Sequence, residues 1–144
     1  MEKESIKGMR RARRLALQAL YQWQLSASEL SDIEAQFRQA NDMDKVNVDY
    51  FCRLLYGIPK HVVSLEEALT PFLDRPVQQL NPIELTTLRM GAFELLHSPE
   101  IPFRVVLDEA ITLTKVFGSQ DGHRYVNGVL NHLARLVRAV EVNG

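Results

Sequence analysis

Residues 9–23 read MRRARRLALQALYQW, and their apolar side chains recur with the period of an α-helix. One face carries the apolar side chains Ala12, Leu15, Ala16, Ala19, Leu20 and Trp23. The opposite face carries the basic and polar side chains Arg10, Arg11, Arg14, Gln18, Tyr21 and Gln22. We therefore predict an amphipathic helix whose apolar face is buried in a core.

The polar face of this helix favours RNA as a ligand. Its arginines can neutralise phosphates, and the ring of Tyr21 can stack on an unpaired base. The alternative is a solvated basic surface, with Tyr21 packed onto a neighbouring helix. Cations are slightly unfavourable near the positive end of a helix dipole, which favours a functional use of these arginines over a stabilising one.

The composition is that of an ordinary globular protein with an uneven charge distribution. The chain has 144 residues, of which 46% are apolar and 24% charged, and its net charge is −1. This length predicts a single domain over residues 1–144. The first 14 residues carry six Lys or Arg against two Glu, whereas residues 29–49 carry six Asp or Glu against Arg38 and Lys45. A near-neutral protein with one basic end is expected to bind polyanions through a patch.

The cysteine and hydropathy patterns indicate the cytoplasm. Cys52 is the only cysteine, so no disulfide can form within the chain. Its apolar helical surroundings favour a packed side chain over a nucleophile. No apolar run approaches the roughly 18 residues that span a bilayer. We expect a cytoplasmic protein with no membrane association.

The middle of the chain also has the helical period. Ser31 or Asp32 is predicted to cap a short helix. A long helical pattern then covers residues 48–73, and it is interrupted at residues 57–59, because proline removes a backbone donor. The clearest helix start is Asn81-Pro82-Ile83-Glu84, in which the asparagine can cap and the proline suits the first position.

Three helices are predicted after Asn81. The first reaches His97, the second covers residues 103–117 and is closed by Gly118, and the third covers residues 123–140. The last helix has one apolar stripe of Val126, Leu130, Leu133, Val137 and Val140. The whole pattern predicts an all-α fold, one compact helical bundle.

Signatures of catalysis and of metal binding are absent from the sequence. It contains no phosphate-binding glycine loop, no His-Glu-x-x-His and no Cys-x-x-Cys. His123 and His132 are nine residues apart, so they cannot hold one metal from a single helical face. We predict that the protein is not an enzyme and uses no cofactor or metal.

Segments spread over essentially the whole chain identify a family. The first helix combines Arg10-Arg11-Ala12-Arg13 with residues 18–25, QALYQWQL. Residues 88–95 read LRMGAFEL, residues 108–111 read DEAI, and residues 124–130 read RYVNGVL. In this order, and with Phe117-Gly118 between the last two, they resemble the NusB family of bacterial transcription antitermination factors.

The resemblance implies a fold and a set of partners. The fold would be all-α, with about six to seven helices in two packed subbundles. The protein would pair with NusE, a small-subunit ribosomal protein, and bind the boxA element of nascent ribosomal RNA. It would thereby act in the RNA polymerase antitermination complex, without a cofactor or catalysis.

The resemblance also assigns site residues. On the first helix, RNA contacts are implied for Lys7, Arg10, Arg11, Arg13 and Tyr21. In the second half of the chain, RNA contacts are implied for Phe72, Asp121, Arg124 and Tyr125. Glu84 matches a residue that faces NusE. If the arginines serve RNA alone, removal of Arg10 and Arg13 together should leave thermal stability nearly unchanged.

The sequence departs from the family pattern at four places, one of which is Gly122-His123, near the loop that borders the implied RNA site. Tyr125 replaces a common phenylalanine, Phe72 replaces an expected tyrosine, and Asp108 replaces a common asparagine. Glu66 is interpreted as solvated surface, and Arg89 either as a paired structural arginine or as a partner contact.

Two other functions and the oligomeric state stay open at this point. The protein could be a helical adaptor that binds only proteins, its basic face meeting an acidic partner. It could also be the accessory domain of a ribosomal RNA cytosine methyltransferase, which predicts a glycine-rich methyl-donor loop downstream; none precedes Gly144. The sequence does not decide between a free monomer and a homodimer.

Overall fold

The computed structural model describes residues 2–119 and 121–144, with side chains from Ser5 onward. In these residues the secondary structure is entirely helical, so the all-α prediction is confirmed. The α-helices are α1 (Glu2–Ser26), α2 (Leu30–Ala40), α3 (Val48–Lys60), α4 (Val62–Leu69), α5 (Pro82–His97), α6 (Phe103–Phe117), α7 (Gly122–Val137) and α8 (Ala139–Asn143). Short 3-10 helices lie at Met43–Lys45, Thr70–Phe72 and Val77–Gln79.

The helices divide into two compact units, in agreement with the two subbundles that the family resemblance implies. The first unit comprises Met1–Lys60 and the second comprises His61–Gly144. The single domain over residues 1–144 stays a prediction. No helix in the described part of the chain has both the length and the apolar character needed to cross a membrane.

In the first unit, α1 packs against α2 and α3. The predicted apolar face of α1 is buried at Ala12, Ala16, Ala19 and Leu20, whereas Trp23 is only half-buried. The helix is longer than the quoted stretch at both ends. It stops at Ser26 because Ala27 adopts a left-handed backbone with φ 55°, where its N–H donates to the carbonyl of Trp23 at 2.8 Å.

Two predicted boundaries in the first unit are wrong by one to three residues. Ser31 and Asp32 lie inside α2, which begins at Leu30 after Glu29, because the Glu29 carbonyl already accepts the N–H of Asp32. The chain also continues helically through Pro59 to the end of α3 at Lys60, where α3 and α4 separate.

In the second unit, α5 is the central helix, with α4, α6 and α7 around it. The predicted cap is confirmed, since the Asn81 Oδ1 accepts the N–H of Ile83 at 2.9 Å and that of Glu84 at 3.3 Å. Most side chains from Leu85 to Leu95 are buried, as expected of a helix covered on several sides. Gly91 permits the closest approach, because a Cβ there would lie 2.5 Å from the Leu130 Cδ1 on α7.

The end of the predicted last helix is wrong. The predicted apolar stripe includes Val140, but α7 ends at Val137 and Val140 is 90% exposed. The buried side chain at this end is instead Arg138, which is only 8% exposed. A short helix, α8, follows it.

Arg138 enters the core because it meets the backbone carbonyls around the end of α5. The last carbonyls of a helix lack intrahelical donors, and a guanidinium offers five N–H groups. Arg138 donates to the carbonyls of Leu95 at 2.8 Å, Ile101 at 2.9 Å, Ser98 at 3.0 Å and Glu94 at 3.1 Å. Its charge is balanced by Glu141, whose Oε1 is 2.6 Å from the Arg138 Nη1.

A second arginine in this unit is also structural. The Arg89 Nε donates to the Glu66 Oε2 at 3.1 Å, and Nη2 reaches the same oxygen at 2.5 Å. This pairing, between α5 and α4, supports the first of the two interpretations of Arg89. The interpretation of Glu66 as solvated surface is wrong, because its carboxylate is the partner of a side chain that is only 12% exposed.

Candidate nucleic-acid interface

The first unit presents a cationic surface along α1. Lys7, Arg10, Arg11 and Arg14 are all exposed on this helix. We call these four side chains, together with Lys45, the α1 basic surface. Such a set of exposed cations attracts phosphates and weakens as salt is added.

Lys45 joins this surface through a turn that docks onto α1. The N–H of Asn47 donates to the Gly8 carbonyl at 3.1 Å, and the Arg11 Nη1 lies 3.5 Å from the Lys45 carbonyl. Between the turn and the helix lies an open cleft of about 470 Å³. Its lining consists of Ser5, Lys7, Gly8, Arg11, Asp44, Lys45, Val46 and Asn47. The sequence gives no local signal that Lys45 belongs to this surface. It lies 34 positions after Arg11 and directly follows the acidic segment that contains Asp42 and Asp44.

Arg13 does not belong to the α1 basic surface. Its side chain is only 4% exposed, and its guanidinium lies over the ring of Tyr50, 5.6 Å from the ring centroid. Arg13 stands one turn before the buried Leu17, which places it on the side of α1 that faces α3. The expectation that Arg13 acts like Arg10 therefore disagrees with where the structure places it.

Tyr21 lies further along the same helix and is half-buried. Its neighbour Gln22 donates through Nε2 to the Gln36 Oε1 on α2 at 2.9 Å. The polar face of α1 is thus divided: its first half is open to solvent and its second half is partly used to hold α2.

The second unit carries a mixed aromatic and charged surface at the start of α7. The Tyr125 hydroxyl accepts the backbone N–H of Asp74 at 3.3 Å, and the Arg75 Cζ lies over the Tyr125 ring, 5.2 Å from its centroid. Arg75 in turn donates two hydrogen bonds to Asp74, at 2.7 and 2.9 Å. Burial raises the pKa of the Tyr125 hydroxyl, whereas the hydrogen bonds from Arg75 lower the pKa of the Asp74 carboxyl.

The other predicted residues of the second unit lie at the start of α7 and in the 3-10 helix Thr70–Phe72. Asp121 is exposed at the start of α7, where its side chain makes no capping hydrogen bond, and Arg124 is exposed one turn later. Phe72 is half-buried, and its ring is stacked on that of His132 with the centroids 5.9 Å apart.

Glu84, predicted to face the protein partner, also lies beside the start of α7. A Cβ on Gly122 would be 3.1 Å from the Glu84 carboxyl carbon and 3.1 Å from its Oε2. A side chain at position 122 would therefore make a tight contact with this carboxylate. In the second unit, the structure therefore places Glu84 beside Gly122, the residue that follows Asp121.

Among the described residues, no three His, Cys, Asp or Glu side chains come together as a cation site. Burial raises the pKa of the Cys52 thiol, which leaves it a poor nucleophile. The nearby Tyr56 hydroxyl donates to the Glu34 Oε1 at 2.5 Å, and this bond raises the pKa of Tyr56 to about 12.

The comparisons with known proteins agree with one another. The model of the NusB family matches residues 10–135. A Legionella pneumophila protein described as transcription antitermination protein NusB is 66% identical over 143 residues, which cover 99% of this chain and 97% of the relative. A protein of the same description from Idiomarina loihiensis is 54% identical over 122 residues, covering 85% and 88% of the two chains. The solved structure of T. maritima NusB matches with a TM-score of 0.74 at 25% identity, covering 88% and 89%.

Proposed function

The chain belongs to the NusB family of transcription antitermination proteins, and we propose that it acts by binding boxA RNA of nascent ribosomal transcripts together with NusE. Antitermination is the function of the family. The finer steps proposed here are that the complex recognises the RNA as it leaves RNA polymerase and helps the polymerase read through terminators. This role is regulatory, involves no catalytic step, and places the protein in the cytoplasm.

The observation that carries this proposal is the α1 basic surface. Five cationic side chains from one helix and one docked turn are exposed together in a protein whose net charge is only −1. Exposure of clustered Lys and Arg side chains is the electrostatic footprint of a nucleic-acid site. Packing does not explain it, because the buried face of α1 is the opposite one.

The surface around Tyr125 offers contacts to RNA bases, which the phosphate contacts of the α1 basic surface do not provide. Phosphate contacts hold an RNA strand without reading it, whereas single-stranded RNA is recognised by stacking and by hydrogen bonds to exposed bases. Tyr125 offers a ring for stacking, and Asp121 and Glu84 offer acceptors for base amino groups or for a protein partner. A small surface of this kind gives modest selectivity alone, so a partner such as NusE that extends it would raise both affinity and selectivity.

The test is a fluorescence-anisotropy titration of a labelled single-stranded boxA RNA and a scrambled RNA, with and without NusE. We expect tighter and sequence-dependent binding when NusE is present. The variant Arg11→Ala should weaken binding and reduce the slope of log K against log salt by about 0.7, the value for one phosphate on a single strand. Lys60→Ala is the matched control, because it removes one exposed positive charge at the opposite end of α3 from the docked turn.

Two results would contradict the proposal. Equal, weak binding of both RNAs with no effect of NusE would favour the helical adaptor that binds only proteins. An equal loss of affinity in Arg11→Ala and Lys60→Ala would show that net charge acts, and not a site. Light scattering on the free protein in the same buffers decides between a monomer and a homodimer.

A further inference from the structure

Arg75 occupies a position that neither its local sequence nor the family resemblance singles out. It lies in the segment between the 3-10 helices Thr70–Phe72 and Val77–Gln79, and it reaches across to α7 to cover the Tyr125 ring. The two hydrogen bonds to the Asp74 carboxylate fix the orientation of its guanidinium plane. The backbone N–H of Asp74 completes the group by donating to the Tyr125 hydroxyl.

The charges of this group are already balanced. Arg75 lowers the pKa of Asp74, so the carboxylate is ionised at neutral pH and compensates the guanidinium. A paired arginine attracts a phosphate less than the exposed cations of α1 do. Arg75 therefore differs from those cations in what it can offer a nucleic acid.

What remains available is the planar surface of the guanidinium. The Arg75 side chain is 45% exposed although its Cζ lies over the Tyr125 ring, so part of the side chain stays accessible to a ligand. Bases of single-stranded RNA stack on arginine planes as well as on aromatic rings. An exposed ion pair contributes little to stability, so folding alone does not account for the arrangement.

We propose that Asp74, Arg75 and Tyr125 form a stacking platform for one unpaired base, with the guanidinium of Arg75 as the contact surface. This inference rests on the proposed RNA-binding function and names a further residue of that site. Tyr125 supports the guanidinium from below, and Asp74 holds it in the plane. The base thus stacks on the Arg75 guanidinium, and the Tyr125 ring lies on the other side of the guanidinium.

The variant Arg75→Lys separates stacking from charge, because lysine keeps the positive charge and has no plane. We expect Arg75→Lys and Arg75→Ala to weaken binding of the boxA RNA by a similar factor of about ten, within the range of one base stack. Because Arg75→Lys keeps the positive charge that balances Asp74, its slope of log K against log salt should stay at the unsubstituted value. Arg135→Ala is the control, since this exposed arginine lies ten residues after Tyr125 on α7, about 15 Å along the helix.

A second measurement detects the stack directly. The same RNA is prepared with 2-aminopurine at successive positions, and its fluorescence is followed on binding in the presence of NusE. Quenching at one position, lost in both Arg75 variants and kept in Arg135→Ala, is the expected result. Circular dichroism on each variant checks that the helices are intact.

The possible failures are distinguishable. Full affinity in Arg75→Lys with a loss in Arg75→Ala would make Arg75 a charge contact and overturn the stacking platform. Unchanged binding in both variants would overturn any role of Arg75, while the proposed function stands if Arg11→Ala still lowers the salt slope. If the unsubstituted protein binds boxA and scrambled RNA alike, the proposed function fails and the platform fails with it.

Discussion

The first helix and the C-terminal end of the protein use arginine in opposite ways. On α1, Arg10 and Arg11 are exposed and face solvent beside other cations. After α7, Arg138 is buried and donates to four backbone carbonyls. The difference teaches that the role of an arginine depends on which acceptors surround it. Carbonyls at the end of a helix draw Arg138 into the core, whereas exposure to solvent leaves the charge of a surface arginine accessible to a ligand.

The largest effect is expected from Arg138→Ala. The substitution removes the Arg138 donors to the carbonyls of Leu95 and Ile101 and the cationic partner of Glu141, so it should lower the free energy of unfolding by about 3–5 kcal/mol. Urea denaturation measures the loss, and Arg135→Ala, an exposed arginine one turn earlier, should change stability little. A loss below about 1 kcal/mol in Arg138→Ala would contradict the structural role of Arg138, because an exposed arginine is expected to show a loss of that size.

A smaller loss of stability is expected from Arg13→Ala. Arg13 is in α1 among the predicted RNA residues, yet its guanidinium lies over Tyr50 in the core of the first unit. Loss of the cation–π contact and of the packed side-chain stem should cost about 1–3 kcal/mol. This outcome would contradict the sequence-based hypothesis that removal of Arg10 and Arg13 leaves stability unchanged. Arg13→Met, which keeps most of the stem, separates packing from charge in the same denaturation experiment.

The helices themselves were predictable because their signals are local. Asn81 and Pro82 mark a helix start within four residues, and the apolar period of α1 and α7 locates their buried faces. The prediction failed where hydrogen-bond acceptors distant in sequence determine which side chain is buried, against the apolar periodicity of the helix. Val140 continues the stripe of α7, but the carbonyls near the end of α5 are some 40 positions away in sequence, and they fix Arg138 inside instead.

The candidate site was predictable in part for the same reason. The exposed arginines of α1 follow from one helical face, and the family resemblance adds Tyr125, Asp121 and Phe72. Lys45 and Arg75 gave no local signal, because each reaches its neighbours through a turn that docks onto another element. Placement of such residues requires the tertiary fold.

The pH dependence of stability gives a finer test of the buried arginine. The Glu141 carboxylate accepts the N–H of Phe103 at 2.7 Å and pairs with Arg138, and these bonds lower its pKa below 4.5. Because the pKa is lower in the folded state, the ionised carboxylate stabilises the folded protein at pH values above the unfolded pKa near 4.5. This contribution is lost as the pH falls through the folded pKa. Glu141→Gln should therefore lower the free energy of unfolding at pH 7, and the free energies of the variant and of the unsubstituted protein should converge at acid pH. Parallel curves at all pH values would contradict this linkage, and Glu67→Gln, an exposed carboxyl on α4, is the control.

The smallest effect on stability is expected from Arg10→Ala, which makes it the sharpest comparison with Arg138→Ala. Its side chain is exposed, so the free energy of unfolding should change by no more than about 0.5 kcal/mol. Binding of the boxA RNA should nevertheless weaken, with the slope of log K against log salt reduced by about 0.7. Urea denaturation and the anisotropy titration on one preparation measure both quantities. A stability loss as large as that of Arg13→Ala would make Arg10 a structural arginine, and the α1 basic surface would then rest on Lys7, Arg11, Arg14 and Lys45 alone.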